Sequence, residues 1–175
     1  REVTRRPEMT PTVARRVAGK RRELGFPLRL FSIPNLFRYE RPQRGRLREH
    51  WQLNVDLFGS HSFAADAEII QVVYELLKAF GAKDSDFVIK IGSRAFLNQL
   101  MSRLGIAGKL LRLLDTKTKI PSEKYEAGLQ EIGITPEDIS AQETPEDVAA
   151  VLVLLADMGV TNAQFDPGVV RGFAY

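Results

Sequence analysis

The 175-residue chain contains no cysteine, which excludes disulfides, thiolate metal sites and a cysteine nucleophile and fits a reducing, cytoplasmic setting. Histidine is nearly absent too: His50 and His61 are the only two, too few for a multi-histidine metal site. No apolar run approaches the length of a membrane span, and the arginine-rich N-terminus has no apolar signal-peptide core. The first residue is arginine rather than methionine, so the chain is expected to begin inside a longer protein. There is no glycine-rich phosphate loop: "GIAGK", Gly105–Lys109, lacks the Walker spacing and the Ser/Thr that should follow.

Acidic residues are scarce in the N-terminal third. The formal net charge is only +3, but residues 1–50 hold 14 Lys+Arg against 5 Asp+Glu, and residues 51–175 hold 11 against 17. A polyanionic partner would meet the N-terminal third. At 44% hydrophobic the chain can bury a real core.

The pattern predicts an α+β fold. A helix is expected over Thr12–Glu23, with Thr10 as its cap and Pro11 as its first residue, stopped by Gly25 and Pro27. "LRLFSI" reads as a strand continued by "NLFRYE", with a bulge or change of pairing at Pro34. "WQLNVDLF" alternates with period two: Trp51, Leu53, Val55 and Leu57 on one face, Gln52, Asn54 and Asp56 on the other. Joined by the polar "RPQRGRLREH", these strands should form an antiparallel hairpin with an arginine-rich loop. Further on, Ala64–Gly81 reads as an amphipathic helix, "DFVIKIGS" as a short buried strand and "RAFLNQLMSRLG" as a helix. Residues 106–158 read as three or four helical pieces, with a start at "TPED", Thr144–Asp147. "NAQFD" and "GVVRGFAY" read as closing strands.

Five arginines lie between Arg38 and Arg48. They repel one another unless a dense anion sits among them, and planar guanidinium forks suit phosphate oxygens. Beside them, the polar strand face offers acceptors and amides. A merely solvated strand face would carry the same alternation, but the crowded guanidiniums favour a nucleotide held next to a small polar molecule. Arg171 in the apolar "GVVRGFAY" needs an anionic partner, either a carboxylate such as Asp56 or Glu8 or a ligand phosphate. His50, in a charged turn, reads as a surface residue.

"RPEMTPTVAR", "FRYERPQRGRLREHWQLNVDLFG" and "VVRGFAY" resemble three successive signatures of histidyl-tRNA synthetase, a class II aminoacyl-tRNA synthetase. The resemblance implies a class II antiparallel sheet flanked by helices. It places catalytic core at 1–98, a helical insertion at 99–160 and a return to the core at 161–175. It also implies activation of histidine by ATP, with accompanying Mg2+ and no protein-only metal site, and transfer to the tRNA for histidine by a homodimeric parent protein. Arg38 and Arg171 would hold the α-phosphate from opposite sides, Glu40 the adenine end and Arg46 the outer phosphates. Glu8 and Thr10 would bind the amino group, Gln52 the amino or carboxylate end and Asp56 the imidazole, with Tyr175 lining the side-chain pocket. Ala174 departs from the signature, where aspartate is common. Motif 1, motif 3 and the anticodon-binding domain are not in the chain, so it resembles a central piece of a catalytic domain. The competing readings are the synthetase-like regulatory subunit of ATP phosphoribosyltransferase, a pure nucleic-acid-binding module, and a structural domain whose arginines only pair with carboxylates.

Overall fold

The computed structural model describes residues 4–39, 41, 43–104, 107–117, 120–140 and 142–169. The chain divides into two compact units, 1–65 and 66–175.

In the first unit, helix α1 spans Thr10–Gly19 and buries Val13 and Val17. It starts two residues earlier than the sequence suggested, and its cap position is Met9, with no side-chain cap bond. Thr10 lies inside the helix because Pro11 is tolerated anywhere in the first turn. The helix also ends early: Lys20 N–H is shared between the Arg16 and Val17 carbonyls, at 3.2 Å each. That tightens the last turn at Gly19, well before Gly25.

Strands β1 (Leu28–Ser32), β2 (Asn35–Phe37), β3 (Glu49–Trp51) and β4 (Asn54–Phe58) form the predicted hairpin as two antiparallel ladders, β1 with β4 and β2 with β3. No bulge separates them. Ser32 faces Asn54 and Asn35 faces Trp51, so Ile33–Pro34 stand against Gln52–Leu53, two residues against two. The ladder is interrupted because Pro34 has no N–H to give. Its carbonyl accepts from Gln52 N–H at 3.2 Å, but the return bond cannot form. The register therefore runs unshifted from Leu28 to Arg38, whose N–H reaches the Arg48 carbonyl at 2.8 Å.

Gly59 ends β4 with φ +83°, and a Cβ there would lie 2.6 Å from Cδ1 of Phe26. Both the left-handed backbone and the close ring exclude a side chain. Gly59→Ala is expected to cost about 1–3 kcal/mol, read as a lower urea midpoint.

Helix α2 (Phe63–Ala79), which belongs to the second unit from Asp66 onward, is closed by Gly81 at φ +92°. Its end is a Schellman pattern: Gly81 N–H to the Lys78 carbonyl, 2.9 Å, and Ala82 N–H to that of Leu77, 3.1 Å. Asp84 accepts from Tyr74 Oη and Lys78 Nζ, both at 2.8 Å. Lys78, then Tyr74, hold its carboxyl below the usual carboxylate range. A depressed carboxylate stabilises fully above its unfolded pKa, near 4, and that contribution is lost as pH falls through the lower folded value. The urea midpoint should therefore fall below about pH 4, and Asp84→Asn should flatten that fall.

Strand β5 (Ile89–Ile91) pairs in parallel with β6 (Ala163–Phe165), so "DFVIKIGS" and "NAQFD" do form strands. The five helices between them account for the parallel pairing, since such a pair needs a long crossover. These helices are α3 (Arg94–Leu104), α4 (Ala107–Thr116), α5 (Ser122–Glu131), α6 (Pro136–Ser140) and α7 (Glu146–Asp157). One core cluster joins Leu97, Leu100, Leu110, Leu114, Tyr125 and Leu129 across α3, α4 and α5. A second joins Ala67 and Tyr74 of α2 to Val151 and Leu155 of α7.

The two "TPED" stretches behave differently. At Thr135 a reciprocal cap forms: Thr135 N–H donates to Asp138 Oδ2 at 2.8 Å, and Asp138 N–H to Thr135 Oγ1 at 3.2 Å. The start expected at Thr144 comes one residue late, with Pro145 at the cap and no side-chain cap bond. Its aspartate is diverted, because Asp147 Oδ2 accepts from buried Ser93 Oγ at 2.6 Å. Ser93 Oγ in turn accepts from Phe96 N–H at the start of α3. The predicted strand "GVVRGFAY" lies, from Val170 onward, outside the described residues.

Candidate functional site

The first unit carries the charge imbalance, with 14 Lys+Arg against 6 Asp+Glu in residues 1–65. Within it, Arg38 is held at three points. Its N–H is tied to Arg48, Nε donates to the Pro7 carbonyl at 2.9 Å, and Nη2 donates to Gln52 Oε1 at 3.2 Å. A guanidinium only donates, so Gln52 must turn its oxygen to Arg38 and its amide nitrogen the other way. That nitrogen donates to Asn54 Oδ1 at 2.8 Å. The result is a hydrogen-bonded row, Arg38 to Gln52 to Asn54, along one face of the hairpin. The bonds to Pro7 and Gln52 together engage two of the five guanidinium N–H groups.

Asp56 continues this face. Its Oδ2 is buried with no partner among the described residues, and so is Oγ of Ser32, which stands directly opposite Asn54. Buried acceptors without partners are costly. Ser32 and Asp56 share one face of the hairpin, and Asn35, whose Oδ1 is likewise buried without a partner among the described residues, lies on the other.

The two faces have the opposite exposure from a simple wet-side strand. Gln52, Asn54 and Asp56 are half-buried, whereas Phe31 is 75% exposed, Trp51 70% and Ile33 55%. The polar side is thus the sheltered one.

The segment bearing Glu8 and Thr10 runs beside the hairpin. Phe37 N–H donates to the Arg6 carbonyl at 3.0 Å, and with the Arg38–Pro7 bond this sets Glu8 one residue from the arginine's anchor. No described residue bonds the carboxylate of half-buried Glu8 or the hydroxyl of Thr10.

At the other end the loop turns tightly. Gln43 and Arg46 exchange backbone hydrogen bonds of 3.2 and 2.9 Å around Arg44–Gly45, with Gly45 at φ +75°. This tip closes a cleft of about 360 Å³ lined by Arg38, Arg46, His50, Trp51 and Gln52 among others. Arg48 is not in that lining; its guanidinium stacks 4.5 Å above the Tyr39 ring.

Arg38, Arg46 and Gln52 are therefore brought to one cleft, with Asp56 further along the same face. Glu40, Arg171 and Tyr175 lie outside the described residues, as does Ala174. His50, read as a surface residue, lies half-buried in β3 and lines the cleft; its even spacing from Gln52 was the available signal. Ser32 was also missed, because its place opposite Asn54 depends on pairing across the hairpin.

The architecture is that of class II synthetase-type structures. The fold matches histidyl-tRNA synthetase from Nostoc sp. PCC 7120 with a TM-score of 0.77, over 97% of this chain and 47% of that one, at 22% identity. It matches an ATP phosphoribosyltransferase regulatory subunit/histidyl-tRNA synthetase from Bacillus halodurans with a TM-score of 0.79, over 97% of this chain and 51% of that one, at 23% identity. A family model for histidyl-tRNA synthetase covers residues 1–127. The chain is 43% identical to a histidine–tRNA ligase of Leptospira biflexa along its whole length, which is 46% of that ligase. It is 33% identical to the chloroplastic/mitochondrial histidine–tRNA ligase of Arabidopsis thaliana, spanning 41% of it. The chain belongs to the histidyl-tRNA synthetase family and spans about half the length of these relatives.

Proposed function

We propose that this chain is the central part of the catalytic core of a cytoplasmic histidine–tRNA ligase. In this reading histidine's carboxylate oxygen attacks the α-phosphorus of ATP, pyrophosphate leaves, and histidyl-adenylate forms. The histidyl group then passes to the tRNA for histidine. The observation that supports it most is the row Arg38–Gln52–Asn54, with Asp56 beyond it. A guanidinium suited to a phosphate is held at one end of a sheltered polar face, and a carboxylate whose Oδ2 has no partner among the described residues lies at the other.

The attacking carboxylate is already ionised, so the protein needs to position and neutralise rather than move protons. Arg38 would bind the α-phosphate oxygens as their charge grows, and Arg46 the outer phosphates. Gln52, fixed by Arg38, would hold the amino or carboxylate end, and Glu8 and Thr10 the amino group. Asp56, an acceptor, would take an imidazole N–H. We assign Arg171 to the far side of the α-phosphate, Glu40 to the adenine end and Tyr175 to the side-chain pocket by resemblance. Among the described residues no group of three or more His, Asp or Glu could hold a metal, and no helix is long and apolar enough to cross a membrane. By the resemblance, Mg2+ would accompany ATP. We place residues 99–160 as the helical insertion and the parent protein as a homodimer.

The isolated 175 residues are expected to show little or no aminoacylation, since the chain spans about half of its relatives. Family-like steady-state turnover by the isolated chain would refute that. In the complete protein, histidine-dependent ATP–pyrophosphate exchange tests the function itself. The likeness to the Bacillus halodurans protein keeps a second reading in view, a regulatory subunit of ATP phosphoribosyltransferase. That reading predicts no histidine-dependent exchange.

A further inference from the structure

We propose that the basic stretch at the C-terminal end of α1, Arg15 to Arg22, binds the phosphodiester backbone of a helical RNA region. In the complete protein that RNA would be the tRNA for histidine, an identity that rests on the synthetase reading. Five of these eight residues are cationic: Arg15, Arg16, Lys20, Arg21 and Arg22. All five are exposed, because α1 turns Val13 and Val17 inward. Beyond the helix the chain keeps turning, with Arg21 N–H to the Ala18 carbonyl at 3.4 Å and Glu23 N–H to that of Lys20 at 2.9 Å. The turn keeps Lys20, Arg21 and Arg22 beside the helix end that carries Arg15 and Arg16.

A cation at a helix C-terminus has an ordinary explanation, its attraction to the carbonyl end of the helix, and Arg16 in the last turn satisfies it. Four more are not accounted for in that way. Among the described residues the stretch has one ion pair, Lys20 Nζ to Glu23 at 3.4 Å, and Arg15 reaches only the Pro11 carbonyl of its own helix, at 3.5 Å. The side chains of Arg16, Arg21 and Arg22 form no hydrogen bond or ion pair there. Like charges crowded in this way repel one another, and a polyanion laid against them offsets the repulsion. The surroundings say which polyanion. Thr12 to Glu23 contain no aromatic side chain, so unstacked bases would find no platform. No large apolar side chain is exposed there, so neither a membrane's acyl region nor the apolar centre of a protein interface is matched. Cations without rings or apolar anchors fit the regularly spaced phosphates of an RNA helix, met by charge and not by sequence. The stretch shares no residue with the cleft at Arg38, Arg46 and Gln52, so nucleotide and RNA would be held by separate cations.

The test uses the complete protein, transcribed tRNA for histidine, and a variant combining Arg15→Gln, Arg16→Gln, Arg21→Gln and Arg22→Gln. Kd for the tRNA should rise about 10-fold or more at low salt. The slope of log Kd against log salt concentration should shrink by about one for each residue that met a phosphate. Histidine-dependent ATP–pyrophosphate exchange and the melting temperature should be unchanged. The matching variant with four Arg→Lys changes should keep most of the affinity, because an ammonium meets a backbone phosphate as a point charge. An unchanged Kd and salt slope overturn the inference, as does a wild type that binds no tRNA. Loss of tRNA binding and exchange in equal measure would make the arginines structural and overturn it too. So would a change of oligomeric state at the same protein concentration, which would make the stretch an interface between copies. If the wild type binds the tRNA but shows no histidine-dependent exchange, the synthetase reading fails, and the RNA surface is still decided by the same comparison of Kd.

Discussion

Arg38→Ala in the complete protein is expected to lower histidine-dependent pyrophosphate exchange by about 10²–10³-fold, the usual effect of removing one donor aimed at developing charge. The size follows from what Arg38 does twice over. In the proposed role its N–H groups not engaged by Pro7 and Gln52 would meet the α-phosphate, while the Gln52 bond fixes the orientation of that amide. Without the guanidinium, the Gln52 amide loses the partner that fixes which end faces Asn54. KM for ATP and for histidine should therefore rise together, although only one side chain has changed. Arg38→Lys should rescue little. An ammonium restores the charge but cannot reach Pro7 and Gln52 in the fixed geometry of a planar fork. Exchange within tenfold of wild type in both variants would remove Arg38 from the catalytic role.

The hairpin was legible because strand period and turn chemistry act over short distances. The two-residue alternation of "WQLNVDLF" identified the polar face, and Gly45 marked the turn. Pro34 announced a disturbance, but a missing donor and an inserted residue leave the same trace in sequence, and only the register of 32 with 54 and 35 with 51 separates them. Exposure was not legible. Alternation says that two faces differ, not which one the rest of the unit covers, and here the polar one is sheltered. The fate of each "TPED" was equally hidden. The local rule holds at Thr135, whereas at Thr144 the aspartate meets Ser93, a residue 54 positions away. Parallel pairing of β5 and β6 was likewise out of reach, since a contact across 74 residues leaves no periodic signal.

Asp56→Asn should move activity and stability in opposite directions. Its Oδ2 is buried with no partner among the described residues, and an unpaired acceptor is expensive to bury. Asparagine has nearly the same shape, no charge and a donor on one arm. The ligand-free chain should therefore be at least as stable as wild type, with an unchanged or raised urea midpoint. In the complete protein, however, kcat/KM for histidine should fall about 10²-fold or more. A charged acceptor for the imidazole N–H is lost, and the amide can turn an N–H toward the ring where an acceptor is needed. Discrimination against ring analogues without an N–H should shrink by a similar factor. A structural carboxylate would behave the other way, losing stability on neutralisation with activity falling only in proportion. Parallel loss of both would therefore reassign Asp56 to the scaffold, while divergence supports a face kept incomplete so that histidine can complete it.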